Sequence, residues 1–454
     1  MTALDPEKPR SSAPGWLAPV LVLYSSLMVA MPGGMGLLSP LSLLLLGGTG
    51  LALIGTLLVA APQWLVVLLP AALPAPMMMY TYAWEIGLYV FAILLALWGW
   101  RIRAPWLSRL SALEAVLLLF TLYALGSGFW SWDPRNYTIQ ARRVLLGMVV
   151  LWTAVRLPRV APRDLFERGI VFATITLGLA ALGKRLTTGF SQSQADARRP
   201  EATNLGWGTA NFIATLLLLM TPTVLALALH RRGRVRVLAW IGVALSALMQ
   251  MVIASRAAAV LFVFGTIAQV LLASGRRARW MTVPVVAVFG GLLASPLGQS
   301  FFLRFTSLRE LGSMTVRIWY QREGWRRMIE HFPFGMGLGQ GYSNADKLQG
   351  VDPHNYWLIV GGDLGIPGLA LWAIVVVMFW RALTRMSRTP EWKAPANALR
   401  IAFVTAQIHT LVEPTYQGVQ YQMMFFWLMG GMLAYHAAAI ADGATQAPAA
   451  SSAR

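Results

Sequence analysis

Only five histidines occur in the 454-residue chain, and one of them stands where an imidazole can do chemistry. His354 lies in Asp352-Pro353-His354-Asn355-Tyr356, between a long polar loop and an apolar run. Pro353 fixes its own φ and restricts the residue before it, and the junction sets the ring at a water–lipid boundary. A neutral imidazole there can take a proton from an attacking hydroxyl near neutral pH, an effect worth about 10²–10⁴ in rate. The plainer reading is a histidine that merely ends the loop. Asp352 and Asn355 flank it as supporting polar groups.

Cations are the second chemical resource. Arg256 follows Ser255 where one apolar run ends and the next begins. It either closes a site for a diphosphate or snorkels to the interface. Arg317 opens a helical stretch, and Arg142 with Arg143 and Lys184 with Arg185 head two further runs on the same side. Guanidinium groups suit bidentate contacts to phosphate or carboxylate, so these six are candidates to hold an anionic diphosphate. Further along the stretch, Arg322 and Arg326 form an i,i+4 pair on one face, with Ile318, Trp325 and Met328/Ile329 on another.

Three other patterns are weaker. His409 and Glu413 stand i,i+4 in an apolar stretch ending at Pro414. Ionisable groups at such depth default to function, yet a pair like this can simply satisfy itself. The series Gly335-Met-Gly337-Leu-Gly339-Gln-Gly341 lacks the Gly-Lys-Ser/Thr of a phosphate loop and the spacing of a dinucleotide fingerprint. It reads as a tight turn with close backbone approach. The loops on this side carry no clustered acids and histidines, so no metal is expected, and the absence of cysteine removes thiolate chemistry. No cofactor is expected, and no nucleic-acid partner.

The elements that must position these groups follow from composition. Apolar residues make up 57% of the chain and charged residues 12%, against about 25% charged in a soluble domain. A water-soluble globule is excluded, and the lack of strict apolar/polar alternation excludes an outer-membrane barrel. Apolar runs near the ~20 residues of a spanning helix predict an all-α polytopic membrane protein with about 12 to 14 spans. Expected spans are 16–31, 38–60, 62–79, 83–99, 112–128, 143–157, 166–183, 209–229, 237–254, 257–274, 281–297, 357–380, 398–412 and 421–440. Residues 1–297 thus form spans with a polar loop near 184–208. Residues 298–355 form a large, partly helical loop carrying the His354 motif, 356–440 the last spans, and 441–454 a disordered tail.

The 37 Lys and Arg against 18 Asp and Glu give a net charge of +19. Clusters such as Arg231-Arg232-Gly-Arg234 and Arg381 to Arg388 follow alternate spans, and the positive-inside rule makes that side cytoplasmic, with both termini. The candidate site then faces outward.

Several segments resemble the O-antigen ligase/polymerase superfamily. They are Arg317-Ile-Trp319, His331-Phe-Pro333-Phe-Gly335-Met-Gly337-Leu-Gly339, Pro353-His354-Asn355-Tyr356-Trp357-Leu358 and Asp363-Leu-Gly365-Ile-Pro-Gly368. Upstream, Phe129-Trp130-Ser131-Trp132-Asp133-Pro134, Gly206-Trp207-Gly208-Thr209-Ala210-Asn211 and Ser255-Arg256 resemble weaker marks of the same family in the same order. The resemblance runs from about 110 to 380 and departs at Asp363, where the family often has Glu. It implies a GT-C-like membrane glycosyltransferase of the bacterial inner membrane with a periplasmic site. Such an enzyme moves a glycan from undecaprenyl diphosphate to a lipid A–core sugar hydroxyl in lipopolysaccharide synthesis. The family's histidine carries over onto His354 and its arginines onto Arg256 and Arg317. For Arg142, Arg143, Lys184 and Arg185 only the charge argument stands. A polymerase or a protein-directed oligosaccharyltransferase of the same superfamily is the nearest alternative, and a lipid-linked oligosaccharide flippase is the alternative of another class.

Overall fold

The computed structural model describes residues 111–159, 161–188, 210–253, 255–273, 308–340, 353–414 and 418–446, with Tyr416 and a few isolated positions. Among the described residues the chain is all helical, as expected. The helices are α1 (Ala112–Gly126), α2 (Pro134–Ala154), α3 (Arg163–Thr188), α4 (Ala210–His230), α5 (Gly233–Ile253), α6 (Arg256–Leu272), α7 (Leu308–Glu330), α8 (Tyr356–Met386), α9 (Lys393–His409) and α10 (Val419–Gln446). Seven stretches, within α1 to α5, α8 and α10, are long and apolar enough to cross a membrane, and α6 is a shorter apolar helix. The protein is therefore a multi-pass membrane protein. The spans expected at 16–31, 38–60, 62–79, 83–99 and 281–297, the loop beyond Thr188 and Asp352 lie outside the described residues. The tail expected from residue 441 differs: α10 continues to Gln446.

Local signals set the helix ends. Ser111 and Glu114 form a reciprocal capping box on α1. Asp133 caps α2, accepting from the backbone N–H of Arg135 and Asn136 at 2.9 and 3.2 Å, with Pro134 at the first helical position. Helix α4 is the axis of the bundle, packed by α3, α5, α6 and α9, while α2 lies on α10 and α1 on α8. Small residues let the helices close up: Gly242 faces Val224, and Gly431 faces Phe166.

The basic end of the bundle is tied by one buried acid. Glu167 accepts from Arg163 Nε at 2.7 Å and from Arg231 Nε at 2.9 Å, joining α3 to the end of α4. Arg163 in turn lies 4.0 Å over the Trp392 ring ahead of α9. A carboxylate this deep persists because two guanidiniums offset its lost hydration.

At the other end, α8 is not one rod. Gly365 has φ 62° and ψ −162°, outside helical space. A straight helix would hold Tyr356 and Trp372 about 24 Å apart, yet their ring centroids are 5.3 Å apart. The first arm, 356–364, is thus turned back across the second. The second arm, 366–386, has a length of about 30 Å and alone matches the bilayer core.

Helix α7 runs beside the first arm, with Gly324 against Pro353 and Leu358, and Gly361 against Met328. The glycine series then docks on the bend. Met336 N–H donates to Gly362 O at 2.9 Å, Gly337 N–H to Asp363 O at 2.8 Å, and Ile366 N–H to Pro333 O at 2.9 Å. Gly339 N–H donates to Asp363 Oδ2 at 2.8 Å. Gly335, Gly337 and Gly339 all have positive φ, and a Cβ on Gly335 would stand 2.5 Å from Asp363 O. The close backbone approach expected from the sequence is what forms. The far side of the turn binds the α1–α2 connection, where Leu338 N–H donates to Ser127 Oγ at 2.9 Å and Gln340 Nε2 to Ser131 Oγ at 2.7 Å. Three sequence-distant marks thereby become one scaffold beneath α7 and the start of α8.

Candidate active site

His354 precedes α8 with φ +49°, the left-handed region, and is the non-glycine residue recorded there among the described residues. Such a conformation costs about 1–3 kcal/mol and persists only where neighbours over-determine it. Those neighbours are visible. Pro353 is buried under Gly324 of α7. Asn355 caps α8, accepting from Trp357 N–H at 3.0 Å and Leu358 N–H at 3.3 Å. Tyr356 N–H donates to Thr410 O at 2.9 Å. Asn355 thus fixes the start of the helix next to His354.

The imidazole stacks on Tyr320 of α7, with centroids 5.9 Å apart and planes 29° apart. Its Nδ1 lies 3.6 Å from Glu413 Oε2. Glu413 is buried just after α9 and gathers three elements around its carboxylate. Its Oε1 accepts from Arg317 Nη2 of α7 at 2.7 Å and from Asn211 Nδ2 of α4 at 2.7 Å. Arg317 Nη1 also lies 3.5 Å from Val412 O, and Gln321 Nε2 donates to Leu411 O at 3.1 Å. Burial pushes the Glu413 carboxyl up, but the His354 contact and the Arg317 charge outweigh it and hold the group below the usual carboxylate range. It is an anion at neutral pH.

His409 and Glu413, i,i+4 as expected, are joined by a backbone bond from Glu413 N–H to His409 O at 3.0 Å and interact electrostatically, but each side chain takes its hydrogen bonds elsewhere. Helix α9 ends at His409, so Glu413 is turned toward α7, while His409 Nδ1 pairs with Thr215 Oγ1 of α4 at 3.2 Å.

Arg317 is brought to His354 through Glu413. Arg256 begins α6 after Ser255. Gly265 of α6 faces Ile401 and Thr405 of α9. The helix rise from Gly265 back to Arg256, about 13 Å, carries Arg256 to the end of the bundle that holds Glu413. Arg142 and Arg143 stand elsewhere than expected. Helix α2 begins at Pro134, so they lie two turns inside a helix that packs on α1 and α10 rather than at its head. Lys184 and Arg185 likewise do not head a span but fall in the last turns of α3, which continues to Thr188. Positive charge there suits the helix dipole. Arg326, i,i+4 from Arg322, bridges Glu323 and Glu330 of its own helix. Its neighbour Arg327 sits 3.3 Å from Glu323. Arg326 draws the Glu323 carboxyl below its ordinary value. Among the described residues no group of three histidines or acids is placed to hold a metal ion.

Sequence reasoning left Asn211 without a role and missed the partners that Glu413 finds besides His409, namely Arg317, Asn211 and His354. The available signals were the acid before Pro414 in an apolar stretch and the Asn closing the Gly-Trp-Gly-Thr-Ala-Asn mark.

The described part is a multi-pass helical bundle that assembles an imidazole, a guanidinium and a carboxylate at one end. Residues 241–373 match the family model described as O-antigen ligase, so over this stretch the chain is similar to that family. The matched stretch includes Arg256, Arg317, the glycine turn, His354 and the α8 bend, whereas Asn211 and Glu413 fall outside it. No curated protein matches the chain.

Proposed function

We propose that the protein is an O-antigen ligase. It transfers a glycan from undecaprenyl diphosphate to a sugar hydroxyl of the lipid A–core oligosaccharide, at the periplasmic face of the inner membrane. The observation that carries this reading is the grouping of a partly exposed His354 with the Arg317 guanidinium inside the family-matched segment. In the reaction His354 takes the proton of the acceptor hydroxyl, whose oxygen attacks the anomeric carbon. The bond from that carbon to the diphosphate oxygen breaks, and its electron pair leaves with the carrier. Arginine charge at this end, Arg256 and Arg317 first, stabilises the departing diphosphate. With Arg142, Arg143, Lys184 and Arg185 in helical positions, their part in holding the donor rests on charge alone. Direct displacement inverts the anomeric centre, and among the described residues no pair of carboxylates is set for a covalent route.

The test is transfer in vitro from lipid-linked glycan to purified lipopolysaccharide core. Wild-type protein is expected to form the ligated product in the presence of EDTA, and His354→Ala to lower the rate by about 10²-fold or more. Transfer undiminished in His354→Ala overturns the base assignment, and loss in EDTA overturns the metal-free account. Extension of one lipid-linked glycan by another would make the protein a polymerase, labelling of protein an oligosaccharyltransferase, and relocation without a covalent product a flippase.

A further inference from the structure

Glu413 is the buried ionisable group at this end that the proposed chemistry leaves unused, and its surroundings are specific. A carboxylate offers two oxygens. Oε1 is occupied by Arg317 and Asn211, each at 2.7 Å, so Oε2 is the oxygen turned to His354 Nδ1 at 3.6 Å. Glu413 after α9 and Tyr320 on α7 touch the imidazole, while Arg317 on α7 and His409 at the end of α9 are the other charged or titratable groups acting on Glu413. Of these Glu413 is the one nearest a ring nitrogen. The left-handed backbone at His354 is what lets the ring lie between Tyr320 and Glu413.

We propose that Glu413 is a positioning residue that holds the His354 ring by Nδ1–H, leaves the lone pair on Nε2, and keeps Arg317 seated beside it. When Nε2 takes the acceptor proton the ring becomes a cation, and the Glu413 anion stabilises it across a contact that shortens as charge develops. Asn211 sets the carboxylate so that one oxygen stays with Arg317 while the other stays with His354. A second effect follows for Arg317. Its guanidinium shares its charge with Glu413, so its hold on an anion strengthens as that carboxylate turns toward the imidazolium.

The inference deepens the proposed transferase reading, and only its kinetic arm depends on that reading. The primary measurement is spectroscopic, on histidine-labelled full-length protein in lipid nanodiscs, with the His354 resonances assigned by their loss in His354→Gln. Neutral His354 in the wild type is expected as the Nδ1–H tautomer. Glu413→Gln is expected to lower the His354 pKa by about one unit, because the carboxylate no longer favours the imidazolium. Glu413→Asp, which keeps the charge but shortens the reach, is expected to give a smaller shift in the same direction and serves should the Gln variant fail to fold. An Nε2–H tautomer in the wild type overturns the proposal, as does a His354 pKa unmoved in both variants. In the transfer assay, the rising limb of kcat/KM against pH, where His354 loses its proton, is expected to move to lower pH in Glu413→Gln with kcat down about 10²-fold. A lower kcat with an unmoved limb would mean a structural role only. Failure of the wild type to transfer any glycan would instead refute the functional reading and leave the tautomer measurement standing.

Discussion

Glu413 is worth as much to the fold as to the site, because removing it leaves a guanidinium and an amide facing each other inside the protein end. Breaking a buried pair costs about 3–5 kcal/mol, and the Arg317 side chain is 36% exposed. Solvent screening brings the expected cost of Glu413→Ala down to about 1–3 kcal/mol, read as a lower melting temperature in detergent. Asn211→Ala removes a single donor and is expected to cost about 1 kcal/mol. The pH dependence follows in sign. The folded-state carboxyl lies below its ordinary value of 4.5, so the unfolded chain takes up the proton first as pH falls. The stabilisation is complete above pH 4.5, fades as pH drops through the depressed folded value, and is absent from Glu413→Gln. A wild-type melting curve no steeper in acid than that of the Gln variant would contradict this. His354 was legible in the sequence because a proline, a loop and an apolar run converge on it. The full role of Glu413 was not, because Arg317 and Asn211 reach its carboxylate from elements distant in the sequence.

Helix α8 shows what one glycine does to an element. Position 365 needs a positive φ, and a Cβ there would stand 2.0 Å from Pro333 O. Gly365→Ala is expected to destabilise the protein by about 2–3 kcal/mol and to undock the glycine turn, with transfer lost. Gly362→Ala, three residues earlier on the same arm with nothing within 4 Å of its Cβ, is expected to be neutral. Equal melting temperatures for the two variants would refute the bend as a requirement. The apolar run at 357–380 reads as a single span because a hydropathy pattern carries no direction. Gly365 and Pro367 were the marks of the turn, and their meaning emerged only with the loop that packs on them. Helix α7 raises a different point. Ile318, Trp325, Ile329 and Phe332 are 54%, 55%, 57% and 68% exposed. Offsets of seven and four residues put the first three on one stripe of the helix, with Arg322 along its edge, and Phe332 follows just past the helix end. An apolar stripe bordered by cations suits a helix lying in the headgroup region. The chain has no cysteine, so nitroxides placed singly at 318, 325 and 329 report cleanly. They are expected to collide with oxygen more than with an aqueous nickel relaxant, and labels at 322 and 326 the reverse. Uniformly aqueous behaviour would show that the stripe meets water.

At the scale of the whole molecule, the charge distribution and the chemistry divide the bundle between its ends. The basic end carries Arg231, Arg232, Arg234 and the run from Arg381 to Arg388 beside the Glu167 ion pairs, while the other end carries His354, Arg317 and Glu413. That division was readable from the sequence, since apolar runs and cation clusters are local properties. Several cations near the site are offset by acids: Arg317 by Glu413 across the fold, and Arg326 with Arg327 by Glu323 within their own helix. The positive-inside rule then makes a whole-molecule prediction that does not involve catalysis. With cysteine absent throughout, Trp132→Cys at the exposed α1–α2 connection and Arg232→Cys between α4 and α5 mark opposite ends. In intact cells whose outer membrane admits a small charged maleimide, Trp132→Cys is expected to be labelled at once and Arg232→Cys only after the inner membrane is opened. Carrier-linked glycans destined for the cell surface are met at the outer leaflet, so this orientation is the one the proposed transfer requires. Immediate labelling at 232 with protection at 132 would turn the imidazole toward the cytoplasm, and no rearrangement of side chains could then bring the periplasmic acceptor to it.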